Sequence, residues 1–173
     1  RARVMARLAA ARVPPASEEE AAAVLDLVRC AREMAARVDD AETRLWVLQF
    51  CASAASYQFS GEERAALARE TMTLALALNH RPTLITISGW YIANLLENGA
   101  TSEARATMQA FEELLREFPQ PHYRWRVSAG RALFATLNGD FELATRLSDE
   151  LRTLAEQADS MTARVCWALG RIA

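Results

Sequence analysis

Two turns 40 residues apart constrain this chain more than any other feature. Asn98-Gly99, in "LLENGATSEARATM" (95–108), returns as Asn138-Gly139 in "ATLNGDFELATRL". Between alternating strands an Asn-Gly pair is the strongest short hairpin signal. Here the flanks are rich in helix formers with apolar residues at helical spacing, so the pair marks helix ends. Setting the chain in rows of 40 aligns more than the turns. Met34, Leu74, Leu114 and Leu154 share a column, as do Leu45, Ile85, Trp125 and Val165, and Val47, Ile87, Val127 and Trp167. Ala104 aligns with Ala144, five residues after each glycine, and in the row above the break slides to Gly61. One such column is expected by chance in a chain rich in Ala and Leu; many columns in phase with the turns are not.

Each row divides into two helices. The spacing predicts first members near 42–58, 83–97, 122–137 and 161–172, and second members near 18–38, 62–79, 101–118 and 140–157, after a leading stretch over 2–12. The run "TLITISGWYI" (83–92) is β-branched enough to tempt a strand assignment, but Pro82 ahead of it and its place in the register favour a helix. Gly99 and Gly139 stand where a helix stops in a left-handed residue. Thr101 or Ser102, and Asp140, are placed to cap the helices that follow. Ser17 with Glu20 reads as a capping box, which explains Glu18-Glu19-Glu20 as acids at a positive helix end. Small side chains at Ala104 and Ala144 let paired helices cross closely. Such pairs cannot bury their apolar faces singly and must stack. The expected fold is therefore all-α, a right-handed superhelical array of antiparallel helix pairs forming a single repeat domain over 1–173, with about four pairs.

Composition narrows function mainly by exclusion. With 173 residues, 51% apolar, 24% charged and a net charge of −2, the chain is ordinary for a folded protein. It lacks the basic excess of a general nucleic-acid binder. All 20 basic residues are arginine, which removes Schiff-base, phosphate-loop and general-base lysines. Cys30, Cys51 and Cys166 have no paired spacing and read as reduced, buried thiols of a cytoplasmic chain. No apolar run reaches the roughly 18 residues of a membrane span. The start, "RARVMARLAAARV", is unlike a signal peptide and reads as mid-helix, so a segment of a larger protein is expected. His80 and His122 fall at turns without a second ligand at metal spacing, and His80, before Arg81-Pro82, reads as a helix-end cation. Glu112-Glu113 and Asp149-Glu150 have arginines three or four residues away and read as solvated faces. No nucleophile, base and orienting group can be named together, so no enzyme, metal site or cofactor is expected.

The segments "NGATSEARATMQAFEEL" and "NGDFELATRLSDELRTLAE" resemble the tetratricopeptide repeat, in which a Gly-Asp turn precedes an Ala-anchored second helix. The period here is 40 rather than the usual length of about 34. "GDFELATRLSDEL", "ARETMTLALALNHRPTL" and "FPQPHYRWRVSAGRALFATLNGDFELA" are similar to the helical-repeat regions of large bacterial signalling proteins, which carry an ATPase, kinase or cyclase module and in many cases a DNA-binding output domain. The resemblance implies a cytoplasmic, non-enzymatic scaffold that binds protein or peptide; the alternative is a small-molecule-sensing domain of a transcriptional regulator. It also implies that first helices line a concave face. Counting back from the turn then places Trp46, Gln49, Ser53, Ser56 and Tyr57, next Thr86, Trp90, Ala93 and Glu97, and next Arg126, Ala129 and Leu133 on that face. Such a groove suits an extended peptide or a small ligand. In "HYRWR" (122–126), Trp125 falls in an apolar column, leaving Arg124 and Arg126 for solvent or the groove. The apolar "MTARVCWALGRIA" predicts that Val165, Trp167 or Leu169 meets another repeat or another chain, a route to self-association through the C-terminal helix. Neither nucleic acid nor membrane is expected as a partner.

Overall fold

The computed structural model describes residues 1–55, 59–118 and 120–170, apart from the side chains of Pro121 and Leu169. Among the described residues the chain is all-α: α1 (Ala2–Ala11), α2 (Glu18–Ala36), α3 (Ala41–Ala55), α4 (Gly61–Ala77), α5 (Arg81–Glu97), α6 (Thr101–Arg116), α7 (Pro121–Leu137), α8 (Phe141–Gln157) and α9 (Met161–Gly170). From α3 onward each helix begins 20 residues after the one before, from Ala41 to Met161.

One kind of helix stop produces this spacing. The four helices α4, α5, α7 and α8 each run 17 residues and end through a left-handed residue. These are Asn79 (φ 48°), Gly99 (φ 75°), Gly139 (φ 78°) and Asp159 (φ 45°). In each case the next amide donates to a carbonyl five residues back: His80 to Ala75 at 2.8 Å, Ala100 to Leu95 at 2.8 Å, Asp140 to Ala135 at 2.9 Å and Ser160 to Ala155 at 3.2 Å. That closure satisfies carbonyls which a helix end otherwise leaves bare. Glycine adopts this φ without a Cβ penalty, and Asn and Asp tolerate it best among the rest.

Helix starts are set just as locally. Ser60 and Glu63 form a full capping box on α4. The Asp140 carboxylate accepts from the Leu143 amide at 3.0 Å, and the Ser160 hydroxyl from Ala163 at 3.3 Å. Ser17 accepts from the Glu20 amide at 3.2 Å, while the Glu20 carboxylate returns to the amide of Ala16, at 2.8 Å, rather than to that of Ser17. Two expectations change. His80 is the N-cap of α5 and accepts from the Thr83 amide through Nδ1 at 3.3 Å, so it caps the helix that follows it as well as standing at the end of the one before. Ala100, whose carbonyl takes the first helical bond from Ala104, precedes α6, and Thr101 already lies inside it.

The chain divides into two compact units, Arg1–Ala104 and Arg105–Ala173, with the division inside α6. In the first unit α1 packs on α2 and α3, α3 on α2, α4 and α5, and α4 on α5. Its core gathers Val24, Val28, Val47 and Leu48 around Ala6, Ala9, Ala31 and Ala54, all four alanines fully buried. Methyl side chains at these crossings let the axes approach. Ile85, Ile87 and Leu95 of α5 are also buried, each worth about 2–3 kcal/mol relative to exposure; of the cysteines, Cys51 is buried as expected, whereas Cys30 lies on the exposed side of α2. In the second unit α7, α8 and α9 pack on one another around Trp125, Leu151, Leu154, Ala155 and Ala163. No described helix is long and apolar enough to cross a membrane.

Candidate functional site

In the first unit, alternate helices meet: α3 touches both α1 and α5. Residues three and four apart on a helix share a face, and on α3 this face carries Trp46, Gln49, Phe50 and Ser53. The Trp46 and Phe50 rings lie 4.3 Å apart and tilted by 44°. Two arginines of α1, also four apart, cover them: Arg3 Cζ stands 5.9 Å from the Trp46 ring centre and Arg7 Cζ 4.8 Å from that of Phe50. Arg3 is anchored further, donating to the Thr43 hydroxyl at 2.7 Å and facing Asp40 at 3.9 Å. Arg7 has no carboxylate partner among the described residues.

Helix α5 packs on α3. Trp90 is 43% exposed. The half-buried Thr86 turns its hydroxyl onto the Pro82 carbonyl of its own helix at 3.0 Å. Gln49 accepts from the Thr83 hydroxyl at 2.6 Å and so ties α3 to α5. Glu97 is committed elsewhere: it pairs with Arg64 of α4, which also donates to the Asn94 side chain and the Phe59 carbonyl. Ser53 is half-buried. Ser56 and Tyr57 lie outside the described residues.

Gly61 opens α4 against the end of α5, where a Cβ would come within 3.2 Å of the Asn98 side chain. Gly99 and Gly139 occupy the left-handed stops. Ala104 is fully buried, whereas Ala144 is half-buried beside Leu133 and Phe141.

The second unit places Arg126 differently from these residues. It is half-buried, with Cζ 4.4 Å from the Trp125 ring centre and Nη1 donating to the His122 carbonyl at 3.1 Å. Burial lowers its pKa from the ordinary guanidinium value, and Cys166 and Tyr123 oppose that shift. Arg124 meets Glu150 at 3.8 Å. Trp125 is core, and Trp167 packs against the same cluster within its own unit, while Val165 is 49% exposed. The indole nitrogens of Trp125 and Trp167 and the Ser148 hydroxyl are buried without a hydrogen-bond partner.

Each unit also carries a cleft over its middle helix. In the first unit a cleft of about 490 Å³ lies among α2, α3, α4 and Phe59, with Val28, Val47 and Leu48 in its wall and Arg32, Arg44 and Glu70 at its rim. In the second, a cleft of about 260 Å³ is lined by Glu112, Leu115, Arg116, Arg124, Val127, Ser128, Arg131 and Glu150. All of these except Arg131 stand 80 positions after a residue lining the first cleft. Among the described residues no group of three His, Cys, Asp or Glu side chains is placed to hold a metal ion.

Reading the sequence by rows names Trp46 and Trp90 as groove candidates but does not name Arg3, Arg7 or Phe50. Arg3 and Arg7 flank the buried stripe Ala2, Ala6 and Ala9 on α1, and Phe50 follows Trp46 by one helical turn, so a pairing signal was present in the spacing. Compared with protein-family models, with curated proteins and with solved structures, the chain matches none of them at a significant level.

Proposed function

We propose that the chain is a non-catalytic helical-repeat scaffold of the tetratricopeptide-like kind, and that the α1, α3 and α5 side of its first unit binds a protein or peptide segment. The carrying observation is the Trp46 and Phe50 pair of α3, stacked by Arg3 and Arg7 of α1, together with the exposed Trp90 of the neighbouring α5. Aromatic and arginine anchors dominate binding energy at protein interfaces. The tie from Thr83 to Gln49 fixes the two helices before a partner arrives, which lowers the entropic cost of binding. Arg7, stacked on Phe50 without a carboxylate, favours a segment that brings an acidic group next to an apolar one. Meetings between alternate helices, and helix starts every 20 residues, support the stacked-pair reading. The resemblance to bacterial signalling proteins supports a regulatory setting in the cytoplasm.

A displayed library of random peptides, selected on the whole chain, tests this reading. Selected peptides are expected to bind at least tenfold more weakly to Trp90→Ala and to Arg7→Ala, with unchanged helical circular dichroism, and equally well to Arg131→Ala in the second unit. Peptides indifferent to both first-unit substitutions contradict the assignment. The second reading, small-molecule sensing, is favoured by the apolar cleft of the first unit.

A further inference from the structure

The two clefts share a helical frame and differ in what fills it. In the second unit Arg131 holds Glu112 through two parallel hydrogen bonds of 2.9 Å, and Arg124 meets Glu150 at 3.8 Å. Charge pairs thus bridge this cleft along and across its length. Eighty positions earlier, Cys51 replaces Arg131 and Arg32 replaces Glu112. Glu70, the counterpart of Glu150, is taken by Arg32 at 2.9 Å. Arg44, the counterpart of Arg124, is left exposed with no carboxylate partner among the described residues. The result is an apolar trough with an unpaired guanidinium at its mouth. In the second unit the matching positions are shared between two clefts, of about 260 and about 520 Å³, and Glu112 and Arg131 line both, so the pair interrupts what is one continuous space of about 490 Å³ in the first unit.

We propose that the first-unit cleft binds a small amphiphile with an aliphatic or aryl body and a single carboxylate head. The body lies along Val47, Leu48 and Phe59, and the carboxylate meets Arg44. The volume falls within the range of small-molecule sites, which are mostly apolar with a few placed polar groups. An extended peptide is the poorer occupant, since its backbone amides need partners that the Val28, Val47 and Leu48 side chains do not supply. A cationic head is the poorer match, since Arg29, Arg32 and Arg44 outnumber Glu33 and Glu70 in the lining and Arg44 is the one of the three arginines without a carboxylate partner among the described residues. This site lies on the α2 and α4 side of α3 and does not depend on the aromatic and arginine side chains proposed for peptide binding on α1, α3 and α5.

Calorimetric titration of the whole chain with decanoate, below its micellar concentration, tests the proposal, with decanol, decyltrimethylammonium and a neutral apolar peptide as alternatives. Decanoate is expected to saturate one site. Arg44→Gln should weaken it roughly five- to tenfold, the size of one charge-assisted hydrogen bond at a wet rim, and erase the preference over decanol. Ala36→Trp, at an exposed lining position, should fill the trough and abolish binding while the thermal midpoint stays unchanged. Trp90→Ala should leave decanoate binding intact even if it abolishes peptide binding. No saturable binding to the folded chain, binding indifferent to Ala36→Trp, or preference for the cationic amphiphile or the peptide overturns the proposal.

Discussion

At matching positions the first unit buries the Cys51 thiol beside an apolar cleft, and the second extends the Arg131 guanidinium across a narrower one. Burial pushes the Cys51 thiol up to about 12, so it serves as a packing group that reaches only the Val28 carbonyl, 3.9 Å away. Arg131 instead holds the Glu112 carboxyl below its ordinary pKa range, chiefly by direct hydrogen bonding. Frame and lining are therefore specified separately. Helix stops and caps decide where the helices lie, while the linings differ at the column of 51 and 131, a buried thiol in the first unit and a glutamate-bound guanidinium in the second. The units differ in the same sense in their buried polar groups. Thr71, Thr83 and Ser88 of the first are each bonded, to the Leu67 carbonyl, Gln49 and the Leu84 carbonyl. The second buries Trp125, Trp167 and Ser148 polar atoms without partners.

Exchanging the two lining residues should break this comparison most sharply. Cys51→Arg places a guanidinium in a fully buried position whose nearest charges, Arg32 and Glu70, are already paired with each other, and a loss of at least about 3 kcal/mol in denaturant unfolding is expected. Arg32→Glu in the same chain should recover part of it. Arg131→Cys removes a half-exposed pair and should cost about 1 kcal/mol or less; equal costs for the two exchanges contradict separate linings. Next in size come the stops. Gly99→Ala and Gly139→Ala meet no neighbour within 4 Å and face only backbone strain, so each should lose about 1–2 kcal/mol and the two should agree closely. A large difference between them would show that the turns are not equivalent.

Smaller effects sharpen the contrast in buried polar groups. Thr83→Val leaves the Gln49 oxygen without its donor and should cost about 1 kcal/mol, whereas Ser148→Ala removes an unpartnered hydroxyl and should be neutral or stabilising by about 0.5 kcal/mol. The smallest effect is on pH dependence. Because the folded-state pKa of Glu112 is lowered, its contribution is fully present above the unfolded carboxyl value, near pH 4.3–4.5, and is lost as pH falls through the lower folded value. Urea midpoints measured down through that range should fall less steeply for Glu112→Gln than for the parent chain.

The sequence makes the frame legible because its determinants are local. The columns place α4 to α8 within a few residues of their ends, and Gly99 and Gly139 announce two of the four left-handed stops. Asn79 and Asp159 do the same work without glycine, 20 residues out of step with them, so a reading keyed to glycine passes them by. His80 escapes because its cap depends on the rotamer that brings Nδ1 to Thr83, which adjacent letters do not specify. The proposed binding face is less legible: Trp46 and Trp90 follow from helical phase, but the stacking of Arg3 and Arg7 depends on how α1 lies on α3. The clefts are the least legible. Cys51, Tyr91 and Arg131 share one column, and that break in character is visible only when departures from the apolar columns are followed as closely as the columns themselves.

Amide hydrogen exchange of the whole chain, with and without a library-selected peptide, tests the assignment of the binding face most directly. Added protection is expected in α1, α3 and α5, with unchanged exchange in α7 and α8. Protection confined to α7 and α8, or to α2 and α4 with the α1, α3 and α5 side unaffected, would contradict that assignment.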